Sequence, residues 1–309
     1  MRNVPIEFFL VAQTRVNPEA VKRWLEFLGV SEKYNDDLYD LMDPFPDSGS
    51  TTEENITDPA LLIALAAKRC YKSFEPSLNP NLSKVRSDWT EYLDNVLKSR
   101  HGSVCEHASY SFAIENVSRV FTGEMNRHRA GVAVSEGSMR FIRYDDIPSW
   151  LPTSIQVTPE EVSLYNQVMM YDPSHDTYDR AHFELVRKKI QSQDVFKEVY
   201  EFVESRYKKL TGIWKDELSP ESKFKAKKHV TSMMRRIVPM GVATGGVWTL
   251  NIRALRHIMA MRASDAAEEE IFHVWSRIGK EMVTQEPMLI GADFTQTAEG
   301  FWVPKYDKI

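Results

Sequence analysis

Cysteine is scarce in this chain. Cys70 and Cys105 are the two in 309 residues, too few for a disulfide framework, so the sequence predicts a reducing, cytoplasmic compartment. Long apolar runs are missing as well. The uncharged stretch from Ile237 to Leu250 is broken by Gly241, Gly245 and Gly246 and falls short of the ~18 apolar residues of a membrane helix. Positive charge is not in excess: 39 Lys and Arg stand against 44 Asp and Glu, a net charge of −5, which argues against a polycationic surface for DNA or RNA. There is no Gly-x-Gly-x-x-Gly after a strand and no Gly-Lys-Ser/Thr loop, so the common Gly-rich phosphate cradles are excluded. Residues 1–7 meet an acid at Glu7 before a short apolar patch, Phe8 to Ala12, unlike a secretory signal. A 42% hydrophobic content supports an ordinary core in one large or two modest domains.

Positive charge is instead concentrated locally. From Arg127 to Arg140 the chain sets Arg127, His128, Arg129 and Arg140 around small residues, with Glu136 and Ser138 among them. Guanidinium forks grip phosphate oxygens in pairs, and Gly131 and Gly137 let backbone N–H groups approach a ligand closely. A phosphorylated small molecule fits such a socket; a solvated basic face is the alternative. Upstream, His101, Cys105, Glu106 and His107 form a cluster that reads either as zinc ligands or as a site with Cys105 as nucleophile, although no second ligand cluster accompanies it. Downstream, Asn251, Arg253, His257 and Arg262 fall on one helical stretch. At about 100° per residue, Asn251, Leu255, Ile258 and Arg262 share one face and Arg253 and His257 another.

The pattern predicts several elements. Asn17-Pro18-Glu19 starts a helix over 17–28, stopped by Gly29. Thr57-Asp58-Pro59 starts a second over 60–71, with Leu62, Leu65, Ala66 and Cys70 near one buried stripe and Cys70 as inert core. A third spans Lys84 to Lys98. Tyr110, Phe112 and Ile114 alternate with Ser111 and Ala113, as in a strand with one buried face. Asp36 to Asp58 reads as a linker, and Ala181 to Ile190 and Phe196 to Leu210 as amphipathic helices. Phe294, Phe301 and Trp302 suggest that the tail docks.

Taken together, Arg127-His128-Arg129, Ser138-Met139-Arg140-Phe141, His101 with Glu106-His107, Asn251 with Arg253, His257 and Arg262, and more loosely Arg235 to Pro239 resemble the flavin-dependent thymidylate synthases, the ThyX family. The likeness covers residues 57 to 145 and 228 to 285. It implies an α+β fold with an antiparallel sheet and packed helices: an N-terminal extension over 1–56, a synthase-like domain over 57–285 with a helical insertion over about 146–227, and a C-terminal tail over 286–309. Four departures stand out. The spacer Ala130 to Gly137 has eight residues where the family has seven, Glu124 replaces a glutamine, Met125-Asn126 replaces an aromatic pair, and Ala266 replaces a histidine.

The resemblance implies methylation of dUMP at C5 to dTMP with FAD, NADPH and 5,10-methylenetetrahydrofolate, without a cysteine nucleophile, in a homotetramer with shared active sites. It places Ser103, Arg127, His128, Arg129, Glu136, Asn251, Arg253 and His257 on FAD. Glu124, Arg127, Ser138, Arg140, Arg235 and Arg262 are placed on the nucleotide. Arg262 would promote ionisation at N3, His101 would sit near flavin and folate, and Ser138 would serve as a donor in the active site. No metal is implied. Two alternatives remain: the same chemistry on another pyrimidine nucleotide such as UMP, prompted by Glu124 and the longer spacer, and a noncatalytic RNA-binding protein using the Arg127 to Arg140 run.

Overall fold

The computed structural model describes residues 2–32, 34, 56–82, 85–86, 88–140, 142, 144, 146–170 and 179–308. Its strands are β1 (Arg2–Asn3), β2 (Glu7–Gln13), β3 (Ser109–Ser118), β4 (Val132–Glu136), β5 (Pro148–Ser149), β6 (Ala243–Asn251), β7 (Phe294–Gln296) and β8 (Trp302–Pro304). Its helices of seven or more residues are α1 (Pro18–Phe27), α2 (Asp58–Tyr71), α3 (Trp89–Lys98), α4 (Arg119–Met125), α5 (Pro159–Met170), α6 (Arg180–Ile213), α7 (Phe224–Met234), α8 (Ile252–Arg262) and α9 (Glu269–Gln285). The main sheet has four strands in the order β2-β3-β6-β4. Hydrogen bonds at the strand ends run antiparallel: Gly137 N to Gly245 O (2.8 Å) and Asn251 N to Gly131 O (2.9 Å) join β4 and β6, while Arg119 N to Met240 O and Ile252 N to Ala108 O bracket β3 and β6. The expected α+β architecture is therefore present.

The chain forms two compact units, one of Met1–Glu7, Ile114–Met125 and Ser135–Gly246, the other of Phe8–Ala113, Asn126–Val134 and Val247–Ile309. In the first, Tyr144, Ile147, Tyr200, Tyr207, Leu218, Val230, Met234 and Val242 make a buried cluster. The two amphipathic stretches expected around 181–190 and 196–210 are one continuous helix, α6, of 34 residues; the stretch between them has no proline to interrupt it. In the second unit α2, α3, α8 and α9 bury Leu61, Leu93, Ile258 and Trp275.

Local chemistry explains the element boundaries. Asn17 Oδ1 accepts from Ala20 N (3.1 Å) and Thr57 Oγ1 from Ala60 N (3.2 Å), so both expected N-caps are used. The third helix starts at Trp89 rather than near Lys84, because Asp88 caps it by accepting from Glu91 N (2.8 Å). Tyr110, Phe112 and Ile114 are buried as the alternation requires, and Phe294 and Trp302 of the tail are buried too. Of the expected stripe Leu65 is buried, Leu62 and Ala66 are half-buried and Cys70 is exposed, while Ala60, Leu61, Ile63, Ala64, Ala67 and Lys68 also lie inside. Nearly all of the linker expected over Asp36 to Asp58 lies outside the described residues, as do Lys84 and Phe141.

One member of the buried face of α2 is a cation. Lys68 is 1% exposed, donates to Arg86 O (3.3 Å), and lies over the rings of Tyr92 (4.5 Å), Trp89 (5.2 Å) and Tyr34 (5.8 Å). Aromatic faces partly replace its lost hydration. Desolvation nonetheless lowers its pKa to about 8. The folded state then binds fewer protons than the unfolded state between about pH 8 and the ordinary lysine value of 10.5. Stability therefore rises with pH across that window, by up to about 1.4 kcal/mol per unit for this one group. Denaturant titrations at pH 7.5 and 9.5 are expected to show this rise in the native protein and its loss in Lys68→Met; an equal pH response in both would refute the assignment.

Candidate active site

The second unit gathers most of the residues assigned to the cofactor. α8 begins where Asn251 Oδ1 accepts from Ala254 N (2.8 Å), which caps the helix and fixes the side chain. Gly131 packs against that cap: its φ is +70°, and a Cβ there would come within 2.5 Å of Asn251 Nδ2. Only glycine fits both constraints. The close approach draws the Arg127 to Arg129 segment onto α8. Leu255 and Ile258 are buried while Arg253 and His257 are exposed, so the helix presents the two faces that its period predicts.

The motif residues meet at the far end of this helix. Arg262 Nε donates to His128 Nε2 (2.9 Å), which leaves the proton of a neutral His128 ring on Nδ1. The His128 and His257 rings meet edge to face at 5.9 Å. Arg127, His128, Arg129 and His257 line one cavity of about 310 Å³. A second, of about 460 Å³, is lined by Gly131, Asn251, Arg253 and His257 among others, a size that suits a small ligand or part of a dinucleotide. Arg253 pairs with Glu106 Oε1 (2.6 Å) at a half-exposed position, so the acid of the upstream cluster orients an arginine of the downstream one. His101 Nε2 lies 2.9 Å from Tyr71 Oη, with the rings stacked at 5.3 Å, and Ser103 is exposed.

Cys105 is fully buried, and burial pushes its thiol up to about 11. A thiol of that kind is protonated at neutral pH and is a poor nucleophile. Among the described residues no group of three or more His, Cys, Asp or Glu is placed to hold a metal ion, so the zinc reading of the upstream cluster finds no geometry. Among them, too, no helix is long and apolar enough to cross a membrane.

The first unit holds Glu124, Glu136, Ser138, Arg140 and Arg235. Glu136, assigned to the cofactor, is gripped by Arg119, whose other nitrogen donates to Gly137 O (2.5 Å). Gly137 in turn abuts Thr244 and Gly245, leaving no room for a side chain. The Ser138 hydroxyl accepts from Arg140 N (3.4 Å), and Thr231 of α7 donates to Arg140 O (2.5 Å). Arg140 lines an open cleft of about 660 Å³ with Trp214, Lys223, Lys225, Lys228 and His229. This local excess of cations favours an anion, in a protein whose overall charge is negative.

Several of these residues have no sequence signal. Arg119 and Lys223, Lys225 and Lys228 belong to none of the motifs. Arg256 stands three residues after Arg253, on the apolar side of α8, and pairs with Asp293 in the interior. Its periodicity with Ile252 and Met259 marks it for burial, but its partner is not readable from spacing.

The family model described as "Thymidylate synthase complementing protein" matches residues 53–288. A flavin-dependent thymidylate synthase from Mycobacteroides abscessus is 30% identical over 240 residues, 77% of this chain and 82% of that relative. One from Mycobacterium sp. (strain JLS) is 31% identical over 235 residues, 76% and 80% of the two chains. A solved structure of the UMP/dUMP methylase PolB from Streptomyces cacaoi, bound with 5-Br UMP, covers 94% of both chains at 15% identity with a TM-score of 0.52, which shows a shared fold. The chain belongs to the flavin-dependent thymidylate synthase family, a family of methyltransferase enzymes.

Proposed function

We propose that this protein converts dUMP to dTMP with FAD, NADPH and 5,10-methylenetetrahydrofolate, in a homotetramer whose active sites draw on several subunits. Family membership decides between the enzyme and the noncatalytic RNA-binding alternative in favour of the enzyme. The observation that carries the reading is the Arg262–His128 hydrogen bond beside the cavity of Arg127, Arg129 and His257.

The residues fit a flavin dinucleotide by their chemistry. Arg127, Arg129 and Arg253 suit its pyrophosphate. Asn251, held as a helix cap against Gly131, offers a fixed amide, and Ser103, His128, Glu136 and His257 complete the assigned set. When bound and reduced by NADPH, the flavin would supply the hydride that completes the new methyl group.

Carbon 5 of uracil is a poor nucleophile until electron density is pushed into the ring. A guanidinium beside N3 and its carbonyls favours the ionised ring by ~1–3 pKa units. Arg262 takes that role, and the bond from its Nε to His128 keeps the guanidinium oriented. Ser138 and Arg140 bind the phosphate with Arg235, helped by the cationic cleft of Lys223, Lys225 and Lys228. Glu124 contacts the sugar or base, and Arg127 serves both ligands. His101, stacked on Tyr71, stands near flavin and folate. Localisation is proposed as cytoplasmic.

The same chemistry on UMP is the second reading, favoured by Glu124 and by the eight-residue spacer from Ala130 to Gly137. A carboxylate can accept from the extra 2′-hydroxyl that a ribonucleotide carries. Turnover of dUMP and UMP by the purified, flavin-containing protein separates the two. The dUMP reading expects a kcat/KM at least tenfold higher for dUMP; the reverse order supports UMP, and inactivity on both with flavin bound removes the assignment.

A further inference from the structure

We propose that the C-terminal segment supplies part of the cofactor site: Tyr306 and Lys308 form one wall of the cavity that Asn251, Arg253 and His257 also line. The inference rests on the flavin reading above and extends it to residues beyond the 53–288 that the family model matches.

The cavity, about 460 Å³, combines two aromatic rings, Phe294 and Tyr306, with the cations Arg253, Arg256 and Lys308. Arg253 is paired with Glu106 and Arg256 with Asp293, and Asp307 is the other carboxylate of the lining, so Lys308 is the cation that the test addresses. A flat ring surface beside cations is the composition that recognises a nucleotide carrying phosphates.

The wall is built in advance of any ligand. Lys305 N donates to Asp293 O (2.6 Å) and Tyr306 N to Asp293 Oδ1 (3.2 Å). The Tyr306 hydroxyl bonds both oxygens of Asp94 (2.9 and 3.0 Å), which also pairs with Lys305 Nζ (2.7 Å). Upstream, Trp302 Nε1 donates to Ser276 O (2.9 Å) and Trp302 N to Ala263 O (2.9 Å). These anchors fix the Tyr306 side chain where it lines the cavity. Such preorganisation lowers the entropic cost of binding. A buried arginine borders the same wall and pairs with Asp293. Arg256 is 3% exposed and lines the cavity, yet its Nε has no hydrogen-bond partner among the described residues. Buried donors of this kind are normally satisfied.

The test measures FAD release from the full-length holoprotein by flavin fluorescence on dilution, at low and high salt. Lys308→Glu is expected to raise the Kd for FAD about tenfold at low salt, with the difference shrinking as salt rises. Lys308→Arg restores affinity, and Tyr306→Ala weakens binding at both salts while Tyr306→Phe, which keeps the ring, does so less. An unchanged Kd in Lys308→Glu overturns the proposal, as does a loss that is equal at every salt concentration, because a merely structural role predicts the latter. If only the KM for NADPH rises, the flavin assignment of this wall is overturned. A wild-type protein that holds no FAD would instead sink the functional reading itself, which keeps the two failures distinct.

Discussion

Replacing Arg262 with alanine is expected to lower thymidylate formation by about 10²- to 10³-fold, the usual loss when one preorganised charge is removed from a developing anion. Flavin content should stay near that of the wild type, because Arg127, Arg129 and Arg253 carry the pyrophosphate in this account. The two readouts move apart for a geometric reason. Arg262 ends α8 and reaches His128 through Nε at 2.9 Å, whereas Asn251 and Arg253 stand at the helix start. Arg262→Lys keeps a positive charge but loses the planar fork, so it should recover a minor part of the rate. Single-turnover kinetics with prereduced flavin check the prediction. A variant with wild-type turnover would show that ring polarisation does not depend on this guanidinium.

A larger effect on folding is expected at Arg256. Its side chain is 3% exposed and its partner Asp293 is fully enclosed. Arg256→Ala leaves that carboxylate without its cation, and breaking a buried pair from one side costs about 3–5 kcal/mol. The Tyr306 carbonyl, 3.5 Å from Arg256 Nη2, loses its contact as well, so loosening should extend into the C-terminal segment. Replacing both partners, as Arg256→Met with Asp293→Leu, removes the unpaired charge and should recover much of the loss, less the bond that Asp293 accepts from Tyr306 N. Urea denaturation of the two variants beside the wild type measures this. Equal stability of wild type and Arg256→Ala would show that the pair contributes nothing to folding.

Much of the local structure was legible because it depends on neighbours in the chain. The caps at Asn17 and Thr57 and the alternation of Tyr110, Phe112 and Ile114 are short-range signals, and the structure uses all three. The two faces of α8 follow from helical period alone. Where a distant partner decides, the sequence is mute. α2 carries Lys68 inward, where Trp89 and Tyr92 of α3 receive the cation, and Cys70 outward, and no periodicity within α2 announces that. α3 begins at Trp89 because one aspartate side chain outcompetes continuation towards Lys84.

The candidate site divides along the same line. Arg127 to Arg129, Asn251, Arg253, His257 and Arg262 were readable as motif residues; the second unit sets all but Arg262 around two cavities and joins Arg262 to them through His128. The supporting pairs were not. Glu106 meets Arg253 across 147 positions and His128 meets Arg262 across 134, distances over which only the folded chain sets partners. Glu136 is held by Arg119, a residue outside every motif.

The central claim is that arginine charge, not a sulfur nucleophile, activates the pyrimidine. It is tested most directly by measuring dTMP formation in a protein free of cysteine, with Cys70→Ala and Cys105→Ala combined, against the wild type at equal flavin content. The exposed Cys70 and the buried, protonated Cys105 should both be dispensable, and the variant should turn over dUMP within a few-fold of the wild type. Loss of turnover with the fold and flavin retained, and its return when one cysteine is restored, would contradict the account.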